Sequence, residues 1–93
     1  MRNHIIAFSL LLCLSHCAKV FDIAKAFKNF TCMKALGFEH SIIRAYHSYG
    51  AIDTVAPANI QLSNQAGLST DVYMFPCRGK NATAQVNELV DFL

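Results

Sequence analysis

The sequence lacks an excess of charge of either sign. Its 93 residues carry 8 Lys and Arg against 6 Asp and Glu, a net charge of +2, and only 15% of them are charged. A nucleic-acid binder that works by neutralising phosphates needs a basic stripe, and an acidic tail protein needs the converse, so both classes are excluded. An apolar run of the about 20 residues that a membrane-spanning helix requires is also missing. The run at residues 5–14 has ten residues, and Ser9 breaks it. Metal-ligand spacing is absent too. Beyond residue 18 only Cys32 and Cys77 remain, far apart, with His40 and His47 as the other soft donors, so no metal site is expected. The turn Arg78-Gly79-Lys80 lacks the G-x-x-x-x-G-K-[ST] spacing of a phosphate loop, and no cofactor is implied.

What is present begins with a leader. Arg2, the apolar run and then the small residues Ser15, Cys17 and Ala18 have the layout of a secretory signal peptide over residues 1–18. The expected product is secreted, extracellular or in the lysosomal lumen. Hydrophobic residues make up 54% of the chain, too many for a disordered one, and the length suits one domain. In an oxidising compartment Cys32 and Cys77, 45 residues apart, most simply form one disulfide, worth roughly 4 kcal/mol in the chain-entropy model. A catalytic Cys77–His47 pair is the rival reading and would need a reduced thiol. Two sequons, Asn29-Phe30-Thr31 and Asn81-Ala82-Thr83, mark candidate glycosylation sites at Asn29 and Asn81.

Three strand–helix pairs follow. Residues 19–23 (KVFDI) read as a short strand. Residues 24–36 then read as a helix, with Ile23, Phe27 and Phe30 at helical spacing and Gly37 as its stop. Residues 41–46 (SIIRAY) read as a second strand. Asp53 or Thr54 then caps a helix with Pro57 in its first turn, running to about Ala66 and Gly67. Residues 71–75 (DVYMF) form a third strand closed by Pro76. Asn81 or Thr83 opens a last helix whose Val86, Leu89, Val90 and Leu93 form one apolar stripe.

Alternating strands and helices imply parallel βαβ units. Right-handed crossovers place successive helices on one face of such a sheet, and nothing further in the sequence covers the other face. A complete (β/α)₈ barrel needs about 250 residues. The expected fold is therefore α/β, a partial TIM-like barrel of about three βα units after the signal peptide. A small unrelated α/β domain is the competing reading, and it would have to cover its second face by dimerising.

The segments Val20-Phe21-Asp22-Ile23, Ile42-Ile43-Arg44-Ala45, Ser48-Tyr49-Gly50 with Asp53, Ala66-Gly67-Leu68 and Asp71-Val72-Tyr73-Met74-Phe75-Pro76-Cys77 occur in order. Together they resemble the opening third of glycoside hydrolase family 25, the Chalaropsis-type lysozymes, most strongly the branch found in nematodes and amoebae. The resemblance covers residues 19–93. It implies a muramidase that cleaves β-1,4 bonds of bacterial peptidoglycan, in defence or digestion, at an acidic groove on the C-terminal ends of the barrel strands. It matches Asp22 to a catalytic aspartate at the end of the first strand and Tyr73 to an aromatic lining the sugar site. The family's principal acid, a glutamate in an Asp-x-Glu pattern on the fourth strand, has no counterpart in residues 19–93. The alternative is therefore a truncated, non-catalytic chain that at most binds saccharide.

Glycosidases place two carboxyl groups about 5–9.5 Å apart across the scissile bond. By position alone Asp22 is either one of these or the N-cap of the helix after it. Arg44 is either an inward charge partner of Asp22, touching substrate, or a solvated strand-end residue. Tyr73 and Phe75 share one face of their strand, as barrel packing or as sugar contacts. The other acids fail by position: Glu39 and Asp71 at the N-terminal ends of strands, Glu88 and Asp91 towards solvent, Asp53 as a helix cap.

Overall fold

The strand β2 (Phe38–His47) is the axis of the structure, a computed structural model that describes residues 18–93. The leader expected over residues 1–18 lies, apart from Ala18, outside the described residues. β1 (Lys19–Ile23) and β4 (Ser69–Met74) both run parallel to β2. Residues 40–43 pair with each of them, so β1 and β4 occupy its two edges. β3 (Ala51–Ile52) folds back antiparallel onto Tyr46 and His47, a short hairpin that the sequence reading did not contain. The connections carry α1 (Phe30–Ala35) between β1 and β2, and α2 (Ala56–Gln65) between β2 and β4. α3 (Ala82–Phe92) follows β4. The result is mixed α/β with a small, mostly parallel sheet. No helix of the described residues is long and apolar enough to cross a membrane.

The first helix differs most from its expectation. Residues 24–29 are irregular, and α1 starts only at Phe30. The cause lies elsewhere in the chain. Arg44 Nη2 donates to the Ala24 carbonyl (2.8 Å), Asn59 Nδ2 to that of Lys25 (2.9 Å), and the Phe27 N–H donates to Asn59 Oδ1 (3.1 Å). Backbone groups that a helix would pair internally are engaged by α2 and β2, so the helix cannot begin until they are behind it.

The layer is two-sided. Ser41, Ile43 and Ala45 of β2 are fully buried and face the helices, where the Ser41 and Ser63 hydroxyls meet at 2.6 Å. Phe30, Ala56, Leu68 and Leu89 complete this core, with Phe21 and Phe27 packed against Phe30. Alternation then places Val20, Asp22, His40, Ile42, Arg44, Asp71 and Tyr73 on the helix-free face. A register shift between Arg44 and Tyr46 re-aims Tyr46 so that it too is buried, under α3.

α3 also departs from its expected stripe. Val86, Val90 and Leu93 stay exposed, while Leu89 and the amide of Gln85 are buried. Gln85 Oε1 accepts from the Cys77 N–H (2.7 Å), and its Nε2 donates to the carbonyls of Cys77 and Lys80 (both 3.0 Å). This polar clamp, not the apolar stripe, sets the rotation of the helix. Asn81 caps it as expected, accepting from the Ala84 N–H at 2.9 Å.

Candidate functional site

Strand register brings the expected residues together. Asp22 pairs with Ile42 and Ile42 with Asp71, so the two carboxylates share one cross-strand row on the helix-free face. Two strand spacings separate their Cα atoms by about 10 Å. Asp71 is the third residue of β4 and not an N-terminal outlier, so its dismissal by position is corrected: the strand begins two residues earlier than its sequence pattern suggests. Arg44 and Tyr73 form the next row towards the C-terminal ends. Asp22 is exposed and makes no side-chain hydrogen bond or ion pair among the described residues. Its alternative as an N-cap disappears with the helix it would have capped, because α1 begins at Phe30 behind Asn29.

Arg44 does not pair with Asp22. Its Nε donates to Asp53 Oδ2 at 2.9 Å, and its Nη2 reaches the Ala24 carbonyl. Asp22 sits one row lower, beside Ile42, whereas the hairpin through β3 carries Asp53 directly to Arg44. Asp53 is itself only 3% exposed. Its Oδ1 accepts from the Val55 N–H at 3.3 Å, so the carboxylate braces the entry to α2, although Val55 occupies the cap position. His47 Nε2 lies 3.5 Å from the same Oδ2. The His47 ring stacks on Tyr49 with centroids 4.5 Å apart and planes 14° from parallel. On β4, Tyr73 meets Phe75 edge to face at 5.5 Å. The C-terminal rim of the sheet thus carries two aromatic pairs, one beyond β2 and one at the end of β4.

A second polar cluster ties α3 to this rim. The hydroxyl of buried Tyr46 donates to Glu88 Oε2 (3.0 Å), and Lys80 Nζ reaches Glu88 (2.6 Å), the Tyr46 hydroxyl (3.2 Å) and the Gly50 carbonyl (3.1 Å). Hydrogen bonds from Lys80 and then Tyr46 hold Glu88 below its ordinary value. The bond to Glu88, then that to Tyr46, raises Lys80 above its own. Glu88 is therefore a structural partner and not a solvated acid. Its side chain lies 42 residues along the chain from Tyr46, a separation that no local pattern reports. A groove of about 550 Å³ between α2 and the end of α3 is lined by Pro57, Ile60, Asn64 and Phe92 among others, with no acidic, basic or histidine side chain. It belongs to the helical layer and not to the face that carries Asp22.

Both cysteines are free thiols, Cys32 exposed on α1 and Cys77 half-buried, so the expected disulfide is not formed. Cys32 stands on the helix that leads into the N-terminal end of β2, whereas Cys77 lies near Gly50, past its C-terminal end. A disulfide needs Cα atoms within about 7 Å of each other. Asn29 and Asn81 are both exposed at helix N-termini. Among the described residues no group of three or more His, Cys, Asp or Glu side chains could hold a metal ion.

Comparison with known proteins agrees with the resemblance read from the segments. A family model described as Lysozyme-like protein 1 matches residues 16–93. Similar curated proteins include Probable GH family 25 lysozyme 2 of Dictyostelium discoideum, 39% identical over 90 residues, which cover 92% of this chain and 42% of that protein. Lysozyme-like protein 5 of Caenorhabditis elegans is 41% identical over 61 residues, 64% of this chain and 28% of its own length. Probable GH family 25 lysozyme 5 of Dictyostelium discoideum is 45% identical over 49 residues, 52% of this chain and 23% of its own. The chain thus spans less than half the length of these relatives. No solved structure matches it.

Proposed function

The chain belongs to the Lysozyme-like protein 1 family, and from that membership we propose that residues 19–93 are the N-terminal part of a secreted muramidase domain acting on β-1,4 bonds of bacterial peptidoglycan. In this reading the sheet forms the opening strands of a (β/α) barrel, and its helix-free face turns towards the barrel axis. The observation that carries it is the convergence of Asp22, Arg44 and Tyr73 on that one face, within two adjacent rows. Asp22 is exposed there and engaged by no other side chain among the described residues, which leaves its carboxylate free to face a substrate. Tyr73 supplies an apolar wall for a sugar, and Arg44, pinned by Asp53, orients the rim and offers donors to sugar oxygens. Export through the leader is part of the proposal, as is N-glycosylation at Asn29 and Asn81. A glycosidase-sensitive mass increment on the exported chain would check the latter.

Two carboxyl groups are needed for glycoside hydrolysis, one able to donate a proton. Asp22 takes the supporting part, and residues 19–93 contain no Asp-x-Glu to take the donor's. That absence favours a second reading for a product limited to these residues, namely non-catalytic saccharide binding. The deciding experiment is clearance of purified peptidoglycan by the full-length gene product, native and Asp22→Asn. Native clearance with at least a roughly hundredfold loss in the variant is expected, the scale of a catalytic acid–base or electrostatic group. A product that contains the fourth-strand acid and still clears nothing would end the muramidase reading.

A further inference from the structure

The hairpin tip between β2 and β3 carries a feature that the muramidase reading leaves unused. Tyr49 is 71% exposed, yet its ring is held in place. One face lies flat against His47, with centroids 4.5 Å apart and planes 14° from parallel. His47 is anchored in turn, its Nε2 3.5 Å from the carboxylate of nearly buried Asp53, which Arg44 fixes from the other side. The backbone beneath is equally fixed. The Gly50 N–H donates to the His47 carbonyl at 2.9 Å, Gly50 takes a φ of +91° that favours glycine, and Lys80 holds its carbonyl. A rigid aromatic ring thus presents its outer face to solvent at the C-terminal rim. The Tyr73–Phe75 pair, at the end of β4, lies at the same C-terminal rim of the sheet.

We propose that the Tyr49–His47 stack is a saccharide-binding platform, on which the apolar C–H face of a hexosamine ring in a peptidoglycan-type glycan lies against the outer face of Tyr49. The chemistry fits a sugar better than a fatty chain. The platform is one ring wide and bordered by the hydroxyls of Tyr49 itself and of its chain neighbour Ser48, which suit the hydroxyls and N-acetyl group at the edge of a pyranose. Preorganisation adds to this, because a ring already immobilised by stacking loses little freedom on binding. The sugar's identity rests on the proposed muramidase reading, whereas the platform itself rests on the stack.

The test is co-sedimentation of the full chain with purified insoluble peptidoglycan, together with titration by a soluble N-acetylglucosamine oligomer followed through the ring-proton signals of Tyr49 and His47. Tyr49→Ala is expected to weaken binding roughly three- to tenfold, the range for one aromatic contact, while Tyr49→Phe, which keeps the ring, binds as the native chain does. An unchanged urea midpoint for Tyr49→Ala would show that the fold survives. Native-strength binding by that variant overturns the platform and leaves the muramidase reading standing. A native chain that binds neither peptidoglycan nor the oligomer overturns the platform and the saccharide-binding reading of these residues, while clearance by the full-length product decides the muramidase reading separately. Equal losses in the Ala and Phe variants would also overturn the platform, by assigning the contact to the hydroxyl.

Discussion

Deleting the Arg44 guanidinium while keeping its stem, as in Arg44→Met, would strand the Asp53 carboxylate at 3% exposure. The charge-assisted bond at 2.9 Å would be lost, together with the bond to the Ala24 carbonyl that helps hold residues 24–29 in place. Removing one partner of a buried ion pair costs about 3–5 kcal/mol. The Arg44 side chain is 23% exposed and His47 remains 3.5 Å from Asp53, so the lower end applies, about 3 kcal/mol. For a domain of this size that is a fall in Tm of roughly 12–24 °C. Asp53→Asn keeps an acceptor for the Val55 N–H and should cost less, about 2 kcal/mol. The double variant should cost about 3, because the second substitution removes a partner already lost; this gives a coupling of about 2 kcal/mol. Urea unfolding of the four proteins measures every corner of the cycle. A coupling below about 0.5 kcal/mol would refute the argument, since Arg44 and Asp53 would then contribute independently and the hairpin would be held by something else.

Two further outcomes follow from the polar contacts. The folded state holds Glu88 below its ordinary 4.5, so its contribution is complete above that value and lost as pH falls through the depressed one. Lys80 is raised above 10.5, so its contribution is complete below that value and lost as pH rises through the raised one. Urea midpoints of the native chain should therefore exceed those of Glu88→Gln by a constant margin between those two pH values, with the margin shrinking at both extremes; a flat margin into acid would contradict it. Asn59→Ala removes a 2% exposed amide that serves both Lys25 and Phe27 and should cost about 2–3 kcal/mol. Faster hydrogen exchange at the Phe27 amide would localise that effect, and unchanged exchange would count against it.

The sequence was most legible where one local rule decides. β1 spans the residues its pattern indicates, and Gly37 and Gly67 stop their helices at φ +95° and +83°, a conformation that other residues rarely adopt. Asn81 caps α3 by its own side chain. Legibility fails where a distant group wins. Phe27 and Phe30 do sit at helical spacing, but Asn59 and Arg44, 32 and 20 residues away from their partners, claim the intervening backbone. In α3 the apolar stripe lost to the Gln85 clamp, because three hydrogen bonds from one buried amide outweigh the burial of two valines. Of the candidate site, strand period alone put Tyr73 and Phe75 on one face of their strand, whereas the face that Tyr73 shares with Asp22 and Arg44 follows from the register. The partner of Arg44 and the row of Asp71 needed the register, which depends on where β2 and β4 actually begin.

The helix-free face also bears on what can lie against it. A parallel sheet is commonly covered on both sides, and a second copy of the chain would be the simplest cover. The composition of the face argues against that. In the central row, Ile42 stands between Asp22 and Asp71, both exposed. Pressing that row against a dry apolar surface would desolvate two carboxylates, and the penalty for an unpaired buried ion is several kcal/mol. Asp22 has no cation to offset it, since Arg44 is committed to Asp53 and to the Ala24 carbonyl. Such a face is compatible with a neighbour only where water or a polar ligand stays between the two, as along the wall of a solvated groove. The same reasoning makes a dry dimer through this face unfavourable.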